Sequence, residues 1–206
     1  MQMVGNSQIT KVLNKYPTLS FNSERGILSG EIFDDYKLDI YLNDFPNRFP
    51  KVFEVEKRIR RKADRHINSD NSLCFTTLTK ENLYLNTKVK TLLDFIDLIL
   101  IPYLQNNSYY ELNEKYMFDE FSHNINISTY ETYVDILKIK NPYIILNLIQ
   151  DRINFKKKYR PNDTCYCGND KIKQCSTHYN CYKEFSKLDK NILEFGLISL
   201  NKILSK

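Results

Sequence analysis

Residues 36–42 read YKLDIYL, and the stretch alternates without a break. Tyr36, Leu38, Ile40 and Leu42 share one face, and Lys37, Asp39 and Tyr41 share the other. That two-residue period marks a half-buried strand. Working outward, residues 18–21, 27–33 and 52–55 form further short extended segments. The gaps between them are of turn length, which favours an antiparallel meander. On the N-terminal side, Ile9, Val12, Leu13 and Tyr16 recur at helical spacing, with Ser7 placed to cap and Pro17 to stop the helix. On the C-terminal side an irregular polar stretch carries Cys74. Beyond it, Val89, Leu92, Leu93, Ile96, Ile99, Leu100 and Tyr103 make a helical stripe. Asn141 and Pro142 fit the cap and first residue of a helix over 143–154. A helix, four sequential strands, a loop and then helices define an α+β layout.

Composition agrees with a folded chain. Of the 206 residues 42% are apolar and 13% aromatic, enough for a core and too much for global disorder. Five glycines exclude collagen-like and Gly-rich repeats. The longest apolar stretch, 92–104, is broken by Asp94, Asp97 and Pro102 and is too short to span a bilayer. The opening MQMVGNSQITK has no apolar signal-type core, so the expected setting is a reducing cytoplasm, without membrane attachment.

The formal charge of +5 is unevenly spread: residues 151–206 hold +6 and residues 1–150 hold −1. The five cysteines divide similarly. Cys74 stands alone, while Cys165, Cys167, Cys175 and Cys181 lie within 17 residues. The basic run INFKKKYRPND separates the groups and reads as a linker. The expected organisation is therefore a main domain over 1–155 and a cysteine module with a C-terminal helix over 156–206. Lys156, Lys157, Lys158 and Arg160 read first as a solvated charge run, not as a nucleic-acid patch.

Four features follow one another: YKLDIYL, then FPNRFPKV at 45–52, a polar loop, and RHINSDNSLC at 65–74. In that order they resemble the ubiquitin-conjugating enzymes, particularly their bacterial branch. The resemblance covers roughly residues 8–140. It implies a UBC-like fold with Cys74 as the nucleophile and, eight residues upstream, His66 where the family commonly has an oxyanion-stabilising Asn. FDEFSHNINISTYETY resembles a pattern found downstream in the bacterial proteins, without its glycines. His123 in that segment reads as structural. Cys74 would take an acyl group from a thioester, hold it as its own thioester and pass it to an amine.

Thiolate is the attacking species, and Arg60, Arg61, Lys62 and Arg65 lie close in sequence to favour it. His66 offers a ring N–H for the oxyanion or a base for the amine. Stand-alone proteins of this kind look like those of CBASS antiphage systems. The resemblance there implies conjugation of the C terminus of a cGAS-like nucleotidyltransferase, or of a ubiquitin-like modifier. No Gly-rich phosphate loop is present, so activation falls to a separate enzyme or a pre-activated donor. A non-catalytic adaptor of the same fold and a thiol hydrolase of such conjugates are the rival readings.

The stretch TCYCGNDKIKQCSTHYNC at 164–181 resembles the SEC-C zinc motif, with Cys165, Cys167, Gly168 and Cys175 in matching places. The spacer is one residue short, and Ser176 stands where the fourth ligand usually sits. His178 is the preferred fourth ligand, with Cys181 next. Three thiolates and an imidazole suit a structural tetrahedral Zn2+. Leu193, Leu197, Leu200 and Leu204 then make an apolar helix face suited to packing.

Overall fold

A computed structural model describes residues 4–61, 65–117, 121–154 and 160–205. The chain forms two compact units. One comprises Met1–Thr76 and Lys88–Glu120; the other comprises Thr77–Thr87 and Phe121–Lys206. This grouping differs from the division expected at 155/156. The cysteine segment shares a core with helices that precede it, so it is not a free-standing appendage.

The first unit is built on a four-stranded antiparallel sheet in the order β1 (Leu19–Asn22), β2 (Ile27–Glu31), β3 (Lys37–Tyr41) and β4 (Lys51–Glu54). Leu28 pairs with Ile40, and Ile40 with Val52. All three are fully buried, so the alternation read from YKLDIYL sets which face meets the core. Gly30 has φ +147°, and a side chain there would meet the Thr18 carbonyl oxygen at 2.2 Å. Helix α1 (Asn6–Lys15) buries Ile9 and Val12. Gly5, not Ser7, occupies its cap position, and Ser7 lies inside the first turn.

The apolar stripe becomes one helical run of three parts: α3 (Leu92–Phe95), a π turn (Ile96–Leu100) and α4 (Ile101–Asn113). Thr91 and Asp94 close a capping box at its start. Pro102 has no N–H to give the carbonyl four residues back, and the helix widens just before it. Phe49, Phe75, Phe95 and Tyr103 contact one another edge-on or tilted, with centroids 5.2–6.5 Å apart. This aromatic cluster fixes the segment around Cys74 to the helix.

The second unit contains α2 (Leu78–Thr87), α5 (Ile125–Leu137), α6 (Pro142–Asn154), α7 (His178–Phe185) and α8 (Lys190–Leu204). Asn141 caps α6 as expected, its side-chain oxygen accepting the Tyr143 and Ile144 amides. The α8 leucine face packs on α5 and α6, with Leu193 and Leu200 buried. Tyr133, Leu137, Ile149, Phe185 and Leu200 share their core with Cys165, Tyr166 and Ile172. Within the described residues, no helix is long and apolar enough to cross a membrane.

Candidate functional site

The Cys74 segment is a small hairpin hung from β4. Ile67 and Leu73 form an antiparallel bridge, and the Leu73 amide donates to the Val52 carbonyl at 2.8 Å. Between them, the Asn71 amide donates to the Asn68 carbonyl at 2.9 Å. Asn71 sits at φ +67°, a conformation Asn tolerates better than most residues. Asp70 accepts from the Ser72 hydroxyl at 2.6 Å and amide at 3.0 Å and pairs with Lys51 at 2.9 Å. These contacts, led by the Ser72 hydroxyl and then Lys51, lower its carboxyl to about 2.

Cys74 is half-buried and not in a disulfide. Its amide donates to the His66 carbonyl at 2.8 Å, so the two expected site residues meet through their backbones. His66 lies in the left-handed region at φ +52°, and its ring meets that of Tyr116 at a tilt of 55° with centroids 5.1 Å apart. Beside it Arg65 is buried, only 7% exposed. The Arg65 guanidinium donates to the Tyr116 hydroxyl and to the Asn107 side-chain oxygen, both at 3.1 Å, and lies 4.1 Å from the Tyr110 ring centre. The Tyr103 hydroxyl donates to the His66 carbonyl at 2.9 Å. Burial above all, and then the nearby Tyr116 and Cys74, push the Tyr103 phenol well above its ordinary range.

Tyr103 was legible in the sequence only as one more apolar position on a helix. The signal that separates it is chemical, since a buried tyrosine must place its hydroxyl. Arg65 is one cation among several in this stretch of sequence, and the structure buries it. Arg60 and Arg61 are exposed. Lys62 lies outside the described residues, as do Lys156, Lys157 and Lys158. His123 belongs to the other unit, just before α5, whose cap is Asn124.

That second unit brings Cys165, Cys167, Cys175 and His178 together. Their ligand atoms all lie within 4.8 Å of one another, an arrangement that could hold a metal ion. Gly168, at φ +85°, donates its amide to the Cys165 carbonyl at 2.8 Å, and this tight turn folds the Cys-x-Cys pair. A short 3₁₀ turn (Ile172–Gln174) presents Cys175, and α7 begins at His178. The His178 Nδ1 atom stands 3.1 Å from the Cys175 sulfur and 3.5 Å from that of Cys165. A tetrahedral ion with metal–sulfur bonds of about 2.3 Å spaces its sulfurs by about 3.8 Å, so the set fits one ion.

On its other side, the His178 Nε2 is 3.4 Å from the Lys138 carbonyl. That contact leaves Nδ1 as the metal-facing nitrogen. Burial pushes the Cys165 thiol up, whereas the Asn169 amide lowers that of Cys167. Cys181 lies outside the set, its sulfur directed at the Thr177 carbonyl at 3.0 Å. Sequence reading missed the partners behind the ligands. Tyr166 donates to the Leu137 carbonyl at 2.8 Å, and its ring lies tilted against that of His178 with centroids 4.6 Å apart.

Comparison with models of protein families, with curated proteins and with solved structures yields no match.

Proposed function

We propose that this chain is a ubiquitin-conjugating-type acyltransferase of the UBC fold, in which Cys74 carries an acyl group as a thioester and passes it to an amine. The observation that carries this reading is the Cys74 hairpin. It follows a four-stranded meander, leaves the thiol half-buried and fastens its amide to the His66 carbonyl. Cys74 thiolate attacks the carbonyl carbon of the donor thioester, and the donor's thiolate leaves. The amine then attacks the Cys74 thioester, its proton passes to His66, and Cys74 thiolate is released. A side-chain donor at the oxyanion is typically worth about 3 kcal/mol, and in this reading His66 supplies it.

The donor in this reading is the C terminus of a cGAS-like nucleotidyltransferase or a ubiquitin-like modifier in antiphage defence, activated by a separate enzyme or supplied pre-activated. We further assign Zn2+ as the ion for Cys165, Cys167, Cys175 and His178, on the chemistry of three thiolates and one imidazole. It would crosslink the segment without joining the reaction.

Intact mass tests the first assignment. Cys74→Ser or Cys74→Lys, offered the activated partner, is expected to retain a stable oxyester or amide adduct. A complex without an adduct would favour the adaptor, and a freed C-terminal tail would favour the hydrolase. Metal analysis tests the second: about one equivalent of zinc is expected, lost in Cys165→Ser. A folded, metal-free chain would overturn it.

A further inference from the structure

We propose that Tyr103 is a positioning residue for the Cys74 loop, an inference that rests on reading Cys74 as the acyl carrier. Tyr103 contacts both the residue that holds the Cys74 amide and the residue that follows Cys74. Its hydroxyl holds the His66 carbonyl at 2.9 Å, and its ring lies 5.2 Å from that of Phe75, the residue after Cys74. It is only 9% exposed and comes from α4, a rigid element outside the loop.

The His66 carbonyl has two lone pairs, and both are engaged, one by Tyr103 and one by the Cys74 amide at 2.8 Å. Two consequences follow. The Cys74 amide is committed and does not serve a developing oxyanion, so that donor must be a side chain. His66 itself sits at φ +52°, a costly conformation for a residue with a β-carbon, which persists only where its surroundings over-determine it. The two bonds to its carbonyl do this from one side. The His66 ring on Tyr116, and Arg65 bonded to Tyr116 and Asn107, do it from the other. Tyr103 thereby sets where the thiol and the His66 ring stand.

The test is Tyr103→Phe in the full chain, which keeps the ring packing and removes only the hydroxyl. The probe is a glycine-ended peptide thioester of 2-mercaptoethanesulfonate, with acylation of Cys74 followed by intact mass. A parallel measurement follows alkylation of Cys74 by iodoacetamide, which needs only an exposed thiol. Acylation is expected to slow by about tenfold or more, with alkylation changed by less than about threefold. Acylation within about twofold of the parent overturns the proposal, and so does an equal loss in both reactions, which would mark a merely structural role.

If the parent chain is acylated no faster than Cys74→Ala, the carrier reading falls and takes the positioning role with it. Should Tyr103→Phe fail to fold, hydrogen exchange on the unaltered protein decides. The Cys74 amide is expected to exchange more than about tenfold slower than an unstructured amide, and exchange within that factor overturns the proposal.

Discussion

Gly196 in α8 faces Tyr133 so closely that a β-carbon would stand 2.3 Å from its hydroxyl oxygen. Tyr133 is fully buried and cannot retreat. Gly196→Ala should therefore destabilise the second unit by roughly 1–3 kcal/mol, although alanine is the better helix former. A lowered thermal midpoint checks this, and an unchanged or raised one counts against the packing. Asp70 makes a second residue-scale prediction. Its carboxyl is held at about 2 by Ser72 and Lys51, below the ordinary value near 3.9. A depressed carboxylate stabilises the fold above the ordinary value, and that support fades as pH falls from about 4 towards about 2. The effect is small because the group is largely exposed. The Ser72 amide resonance should titrate with a midpoint near 2; a midpoint in the ordinary carboxylate range would contradict the contacts. At this scale the candidate ligand set was legible because ligand chemistry shows in spacing. Tyr103 and Arg65 were not, since nothing local in the sequence says which tyrosine or arginine will be buried.

The elements that sequence reading found are those whose periodicity is apolar: the four strands, α1, the long stripe, α6 and α8. Helix α5 shows why others escaped. Its buried face includes Ser128, Thr129 and Thr132. Their hydroxyls bond back to helix carbonyls, Thr129 to Ile125 at 2.6 Å and Thr132 to Ser128 at 2.7 Å. These side chains give their protons to the helix's own carbonyls and enter a core without leaving an apolar pattern. Helix α2 is hidden differently, with only Thr79 and Leu83 buried along its length. The C-terminus of α5 ends at Lys138 in the left-handed region, with its last carbonyls taken by Tyr166 and His178. Loss of the proposed ion should therefore loosen α5 as well as the cysteine segment. Chelation is expected to speed hydrogen exchange over 134–138, and Tyr166→Phe to cost about 1 kcal/mol. Protection at 134–138 that survives chelation would separate the helix from the metal centre.

At the scale of the molecule, the charge asymmetry was visible in the sequence but did not mark where packing divides. The boundary expected at 155/156 followed a basic run and a proline. The core instead unites Leu137, Ile145 and Ile149, before that run, with Cys165, Tyr166 and Phe185 after it. A fragment ending at 155 should thus keep slow exchange in β2 and β3 while α5 and α6 exchange freely. Protected α5 amides in that fragment would restore the simpler division. The second unit is also discontinuous, because α2 belongs to it while residues on both sides do not. Asn82 bonds to Asp189, and Asn86 bonds to Asp189 and the Lys187 carbonyl, partners 101–107 residues further along the chain. At roughly 5–20 residues per second of synthesis, α2 leaves the ribosome on the order of 5–20 seconds before the segment it must clasp. Through that interval α2 can rest on α5 but not on α7 or α8, so it takes its final place only when the C-terminal segment emerges.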